Sequence, residues 1–217
     1  AQRNGLEDLR LVQFEDEKLG RLYYGTYTAY SGAGIGSELM TTSDFSSFTL
    51  EPMQGSAAKN KGMGLFPRRI NGRYAMIGRQ DGENLFYLES DDLLRWEGGE
   101  LLMKPQYAWE LVQIGNCGAP IELDEGWLVL THGVGAMRKY SIGAVLLSKK
   151  NPMTMIGRLR RPLLEPSLLN RDGYVPNVVY TCGGLKHGSK LFMPYGVADS
   201  SVSFALIDIP WLLREMA

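Results

Sequence analysis

Four times along the chain a short apolar run, a tight glycine-bearing turn and a second apolar run recur, and this repeat narrows the possible folds more than any other feature. The turn glycines are Gly20, Gly72, Gly126 and Gly188. The first unit runs through Leu9–Val12, a turn near Lys18-Leu19-Gly20 and Leu22–Tyr27. The second has Leu65-Phe66-Pro67, the turn Asn71-Gly72 and Tyr74–Ile77. The third has Ala119–Leu123, Glu125-Gly126 and Trp127–Leu130. The fourth has Pro176–Tyr180, His187-Gly188 and Leu191–Tyr195. Runs of this length around such turns are hairpins. A repeat of roughly 50–60 residues accommodates about four strands, the content of one propeller blade. The fold expected is therefore all-β, with about four blades in one domain over residues 1–217. Two further stretches, Ser43-Asp44-Phe45 and Ser90 to Trp96, read as turns in which an Asp caps the backbone and an aromatic packs back. The only helix signal is Ile209-Pro210-Trp211 to Met216, a short C-terminal helix with Pro in its first turn.

Composition removes several function classes. A net charge of −1 with both signs interspersed lacks the basic footprint of a nucleic-acid binder. No run of 18 apolar residues is present, so no membrane partner is expected. The two cysteines occupy equivalent settings, Asn116-Cys117-Gly118 and Thr181-Cys182-Gly183. They read as small buried thiols of a reducing compartment, although two cysteines also permit a disulfide. With no export-type segment in the sequence, a cytoplasmic location is expected. No Cys/His spacing of the zinc type occurs, and no metal ligand is assigned.

Local chemistry alone leaves alternatives open. Asp8 and Arg10 place a carboxylate and a cation two residues apart, on one face if the strand is regular; such a pair also simply closes a blade. Lys61 and Arg79 read alone as solvated cations, His132 as a satisfied strand-end histidine, and Tyr140 as blade packing.

The motifs taken in order resemble glycoside hydrolase family 130, the mannoside phosphorylases and β-mannosidases. The resemblance is carried by Gly5-Leu6-Glu7-Asp8-Leu9-Arg10, Ile70-Asn71-Gly72-Arg73-Tyr74, Ile114 to Ile121, Thr131-His132-Gly133-Val134, Tyr140 to Leu147, Gly173 to Val179 and Tyr195 to Asp199. It covers nearly the whole chain. It implies a five-bladed β-propeller with the active site in its central funnel, and a further blade before Glu7-Asp8 that this sequence lacks. An open propeller leaves sheet edges uncovered, so a homo-oligomer is expected. The resemblance makes Asp8 the catalytic acid, its proton relayed through a sugar hydroxyl to the glycosidic oxygen. It makes Lys61, Arg79, His132 and Tyr140 the phosphate-binding set, and Arg10, Gln113 and Asp199 substrate-binding residues.

Inverting cleavage needs an acid on the leaving oxygen and attack from the opposite face. Water requires a second carboxylate as base, whereas phosphate requires cations and donors. The activity implied is that of a carbohydrate-active enzyme cleaving a mannose-containing oligosaccharide with inversion. Inorganic phosphate is the co-substrate, mannose 1-phosphate the product, and no cofactor is used. Gln113 stands where phosphorylases of the family tend to carry Lys, and a neutral amide there favours the alternative of a β-mannoside hydrolase using water. In that alternative Glu110 and Glu122 are the nearby carboxylates. A sugar-binding propeller without turnover is the third reading.

Overall fold

Burial alternates along Leu9–Phe14: Val12 and Phe14 face a core while Leu9 and Leu11 stand exposed, as a strand covered on one face requires. This strand, β1 (Leu6–Asp16), opens a meander with β2 (Gly20–Tyr30), β3 (Ile35–Thr42) and β4 (Thr49–Pro52). The second sheet comprises β5 (Gly64–Leu65), β6 (Tyr74–Gly78), β7 (Leu85–Ser90) and β8 (Glu100–Met103). The third comprises β9 (Gln113–Asn116), β10 (Ile121–Glu122), β11 (Trp127–Val134), β12 (Tyr140–Leu147) and β13 (Met155–Arg158). The fourth comprises β14 (Val179–Tyr180), β15 (Leu185–His187), β16 (Lys190–Val197) and β17 (Ser201–Asp208). The structure is a computed structural model and describes residues 3–16, 20–30, 32, 34–167 and 173–217. The expected turn at Lys18-Leu19 lies outside the described residues.

All ladders within these sheets are antiparallel. The sheets pack face to face in chain order, giving the four-bladed propeller arrangement expected. Phe14, Leu39, Met76 and Trp96 fill the first interface. Phe66, Ile77, Trp127 and Val129 fill the second. Leu128, Ile142, Leu191, Met193 and Leu212 fill the third. Each such side chain stabilises the fold by about 1.5–3 kcal/mol on burial.

The first strands of the sheets also approach one another around an axis. Glu15 N–H donates to Pro67 O at 3.2 Å between the first and second sheets. A Cβ on Gly64 would lie 2.3 Å from Gly118 O, and one on Gly118 would lie 2.6 Å from Cys182 O. Arg10 of the first sheet also reaches the fourth, donating to the Tyr180 hydroxyl.

One sequence expectation is corrected here. The His187-Gly188 turn joins β15 to β16, and does not lead directly from the strand ending at Tyr180. In both later sheets the first strand is interrupted: β9 and β10 both pair with β11, and β14 and β15 both pair with β16. The interruptions fall at Cys117-Gly118 and Cys182-Gly183, where both glycines have φ of +136°. Both thiols are free.

The capping turns form as expected, with Asp44 Oδ1 accepting from the Ser46 and Ser47 amides at 2.8 and 2.9 Å. In the second turn the capping residue is Asp92, which accepts from Leu94 N–H at 2.9 Å. Helix α1 (Ile209–Glu215) starts at Asp208, whose carboxylate accepts from Trp211 N–H at 2.9 Å. Among the described residues no helix is long and apolar enough to cross a membrane.

Candidate active site

Asp8 is aimed by a bulge and not by simple alternation. The β1–β2 register slips between Glu7 and Arg10, and Asp8 takes φ of 57°. Bulges bend a strand and redirect a side chain. Arg10 is 2% exposed. One of its η nitrogens donates to Asp8 O at 2.9 Å, and the other lies 3.5 Å from Asp8 Oδ2 and donates to Tyr180. The carboxylate therefore stands at the cleft mouth, held from behind by a buried guanidinium.

His132 occupies β11 opposite Gly115 of β9. A Cβ on Gly115 would lie 2.3 Å from His132 Cε1, so only glycine lets the imidazole lie over that strand. Arg79 follows β6, and its Nη1 is 3.4 Å from His132 Nε2. A guanidinium can only donate, so Nε2 accepts, and Nδ1 carries the proton towards Cys117 Sγ at 3.6 Å. Burial, then Arg79 and Arg10, push the His132 pKa well below 6.5, leaving a neutral ring. Tyr140 stacks on it at 5.9 Å and Tyr180 meets it edge-on at 5.2 Å. Burial raises the Tyr180 phenol well above 10 and keeps it protonated. Burial lowers the Arg79 pKa, although an arginine remains charged.

Gln113 lines the cleft and is also engaged with Arg79. Its side-chain oxygen accepts from Arg79 Nη1 at 2.8 Å and its amide nitrogen donates to Gly82 O at 3.3 Å. The amide thus steadies Arg79, a task for which a lysine at 113 would carry the wrong charge. Lys61 stands in the cleft with its Nζ 2.5 Å from Glu7 Oε2. Asp199 is exposed on the β16–β17 turn, where Ala198 and Asp199 have φ of 51° and 50°. Ala198 N–H donates to Val178 O at 2.9 Å and ties that turn beside β14.

All eight residues expected from the sequence line this one cleft: Asp8, Arg10, Lys61, Arg79, Gln113, His132, Tyr140 and Asp199. Tyr180 and Arg138 join them and were not read from the sequence. The signal for Tyr180 was present, since aligning the two Cys-Gly breaks puts it level with Gly115 beneath His132. Arg138 stands two residues before Tyr140. Glu110 and Glu122 lie elsewhere. Glu110 is fully buried and paired with Arg158. Glu122 binds Arg68 at 2.9 Å and lines a separate cleft with Leu11, Gln13 and Lys186. The carboxylates of the active-site cleft are Asp8 and Asp199. Among the described residues no group of three or more His, Cys, Asp or Glu is placed to hold a metal ion.

The buried neutral histidine gives a pH prediction. Below pH 6.5 the unfolded chain binds a proton at residue 132 that the folded chain resists, so stability falls with pH until the folded pKa is passed. The slope is at most about 1.4 kcal/mol per pH unit. Thermal unfolding between pH 7.5 and 5.5 is expected to show a falling Tm that flattens in His132→Gln. Parallel profiles for the two proteins would contradict a neutral buried imidazole.

A family model described as "beta-1,4-mannooligosaccharide phosphorylase" matches residues 2–216. The chain is 32% identical over 209 residues to the 1,2-β-oligomannan phosphorylase of Thermoanaerobacter sp. (strain X514), covering 94% of this chain and 69% of that protein. It is 32% identical over 221 residues to the β-1,2-mannobiose phosphorylase of Listeria innocua, covering 98% of this chain and 60% of that protein. The structure of a Listeria innocua β-1,2-mannobiose phosphorylase in complex with β-1,2-mannobiose superposes with a TM-score of 0.86 at 30% identity, again over 98% of this chain and 60% of that one. With a family match over nearly its full length, relatives of this similarity and a shared fold, the chain belongs to glycoside hydrolase family 130.

Proposed function

We propose that the cleft cleaves β-mannosides by phosphorolysis with inversion, transferring the mannosyl unit to inorganic phosphate and releasing mannose 1-phosphate. The observation that carries this reading is the charge layout around Arg79. It is a buried arginine with a histidine and an amide as neighbours, and it shares the cleft with Asp8. In this reading Asp8 supplies the proton that the leaving oxygen requires, through a sugar hydroxyl, and Arg10 orients it. Arg79 and Tyr140 hold the phosphate, and His132 stands beside them. Arg10 and Asp199 also bind sugar hydroxyls. Gln113 lines the cleft and also steadies Arg79, and Lys61 must exchange Glu7 for the anion if it binds phosphate.

Hydrolysis needs a base opposite the acid. Glu110 and Glu122 lie outside the cleft, and the second carboxylate inside it, Asp199, is read as a sugar ligand, which supports phosphate over water. The chemistry as written calls on no metal or organic cofactor. The four sheets are read as one catalytic domain over residues 1–217. Exposed Leu9 and Leu11 on β1, and Phe192, Phe204 and Leu206 on the last sheet, support self-association. Two free thiols fit a cytoplasmic, reducing compartment.

The test is incubation with manno-oligosaccharides with and without phosphate. Mannose 1-phosphate formed only in the presence of phosphate is the expected result. Free mannose released at the same rate without phosphate would establish hydrolysis instead. No turnover in either arm would leave a sugar-binding propeller.

A further inference from the structure

We propose that Arg138, which shares the cleft with Arg79, supplies the second positive charge that holds the phosphate; the inference rests on the phosphorolysis reading above. A phosphoryl group carries about −1.5 to −2 at neutral pH, more than one arginine balances. Four cations line the cleft: Arg10, Lys61, Arg79 and Arg138. Two of them are already compensated. Arg10 faces Asp8 at 3.5 Å and Lys61 faces Glu7 at 2.5 Å. Arg79 makes no ion pair among the described residues, and neither does Arg138. One is buried in the floor of the cleft; the other is exposed at its rim. The remaining carboxylate, Asp199, is exposed on the β16–β17 turn.

The turn that carries Arg138 is held in an uncommon shape. Met137 and Arg138 have φ of 56° and 55°, two successive left-handed residues without a glycine. Such strain persists only where the surroundings impose it. The ends are pinned: Gly135 N–H donates to Lys139 O at 3.0 Å, and Lys139 N–H donates to Ala136 O at 3.2 Å. The consequence is a division of labour between adjacent cations. Lys139 is drawn to Glu165 at 2.5 Å, while Arg138 lines the cleft two residues before Tyr140. An unpaired guanidinium fork at the mouth matches the oxygen spacing of phosphate.

The test compares Arg138→Ala with Lys139→Ala, an adjacent cation outside the cleft. Arg138→Ala is expected to raise the KM for phosphate by about 10–100-fold. The KM for the mannoside is expected to stay within about 2-fold, a split that a merely structural role would not give. Arg138→Lys is expected to fall between wild type and alanine. A readout independent of turnover is the rise in Tm produced by inorganic phosphate, which follows from binding to the folded state alone. That rise is expected in wild type and in Lys139→Ala and is expected to be largely lost in Arg138→Ala. A phosphate-dependent wild type with an unchanged phosphate KM in Arg138→Ala overturns this inference alone, as does an equal effect of Lys139→Ala. A wild type indifferent to phosphate overturns the phosphorolysis reading and this inference with it.

Discussion

Asp8→Asn is expected to lower kcat/KM on manno-oligosaccharides by about 10²–10⁴-fold, the range for loss of a positioned proton donor. The amide keeps the shape of the carboxylate and the backbone contact from Arg10, whose donation goes to Asp8 O. The ion pair it removes is partly exposed, with Asp8 at 31%, and pairs of that kind are worth about 0–1 kcal/mol. Tm is therefore expected to move little, which separates lost chemistry from lost fold. An aryl β-mannoside with an acidic phenol as leaving group makes the assignment sharper. Its oxygen departs without a proton, so the asparagine variant is expected to lose much less activity on that substrate than on the oligosaccharide. Equal losses on both substrates would make Asp8 a sugar-binding residue and not the acid. Undiminished turnover of the oligosaccharide would remove Asp8 from the chemistry altogether.

The fold was legible because hairpins repeat with a readable signal. Glycine turns flanked by apolar runs fix which strands pair, and the observed β5–β6 and β10–β11 pairs lie where Asn71-Gly72 and Glu125-Gly126 place them. The interrupted first strands of the third and fourth sheets were less legible. Pairing at Asn116 and at Val179 depends on longer-range register with β11 and β16, which no local pattern encodes. The site divides in the same way. Arg79, which directly follows β6, comes from where an apolar run stops; His132, expected at a strand end, lies inside β11 two residues before its end, because pairing with β9 and β12 extends that strand to Val134. The aim of Asp8 does not, because a bulge between Glu7 and Arg10 breaks the alternation that the sequence implies. Gln113 shows the same boundary. Its amide looked like a weakened phosphate ligand, yet its partner is Arg79, from a different sheet. Only the packing of β9 beside β6 reveals that the missing charge relieves repulsion at a neighbouring arginine.

Arg158→Met is expected to destabilise the fold by about 3–5 kcal/mol, because it leaves Glu110 as an unpaired buried charge. Glu110 is fully buried and Arg158 nearly so. The guanidinium also donates to Gln106 Oε1 at 3.1 Å and to Lys104 O at 3.2 Å, so one residue ties three points of the segment before β9. In a chain of this length the loss corresponds to a fall in Tm of roughly 6–20 °C. The pH dependence identifies the cause. Burial already raises the Glu110 pKa above 4.5, against the opposing pull of Arg158 and the Gln106 amide. Removing Arg158 raises it further. A raised carboxyl binds its proton more tightly when folded than when unfolded, so stability falls as pH rises from 4.5 through the folded value. The deficit of Arg158→Met is therefore expected to be small near pH 5 and to grow towards pH 8. Adding Glu110→Gln to that variant is expected to recover most of the loss at pH 8, since the buried charge is then gone. Equal deficits at pH 5 and pH 8 would assign the effect to lost packing on Tyr107, which the guanidinium covers at 5.2 Å. The consequence for the active site runs through Gly133, where a Cβ would lie 2.6 Å from Glu110 Cβ and from the Trp109 ring. Gly133 directly follows His132, so a displaced Glu110 is expected to shift the imidazole and to raise the KM for phosphate in the same variant.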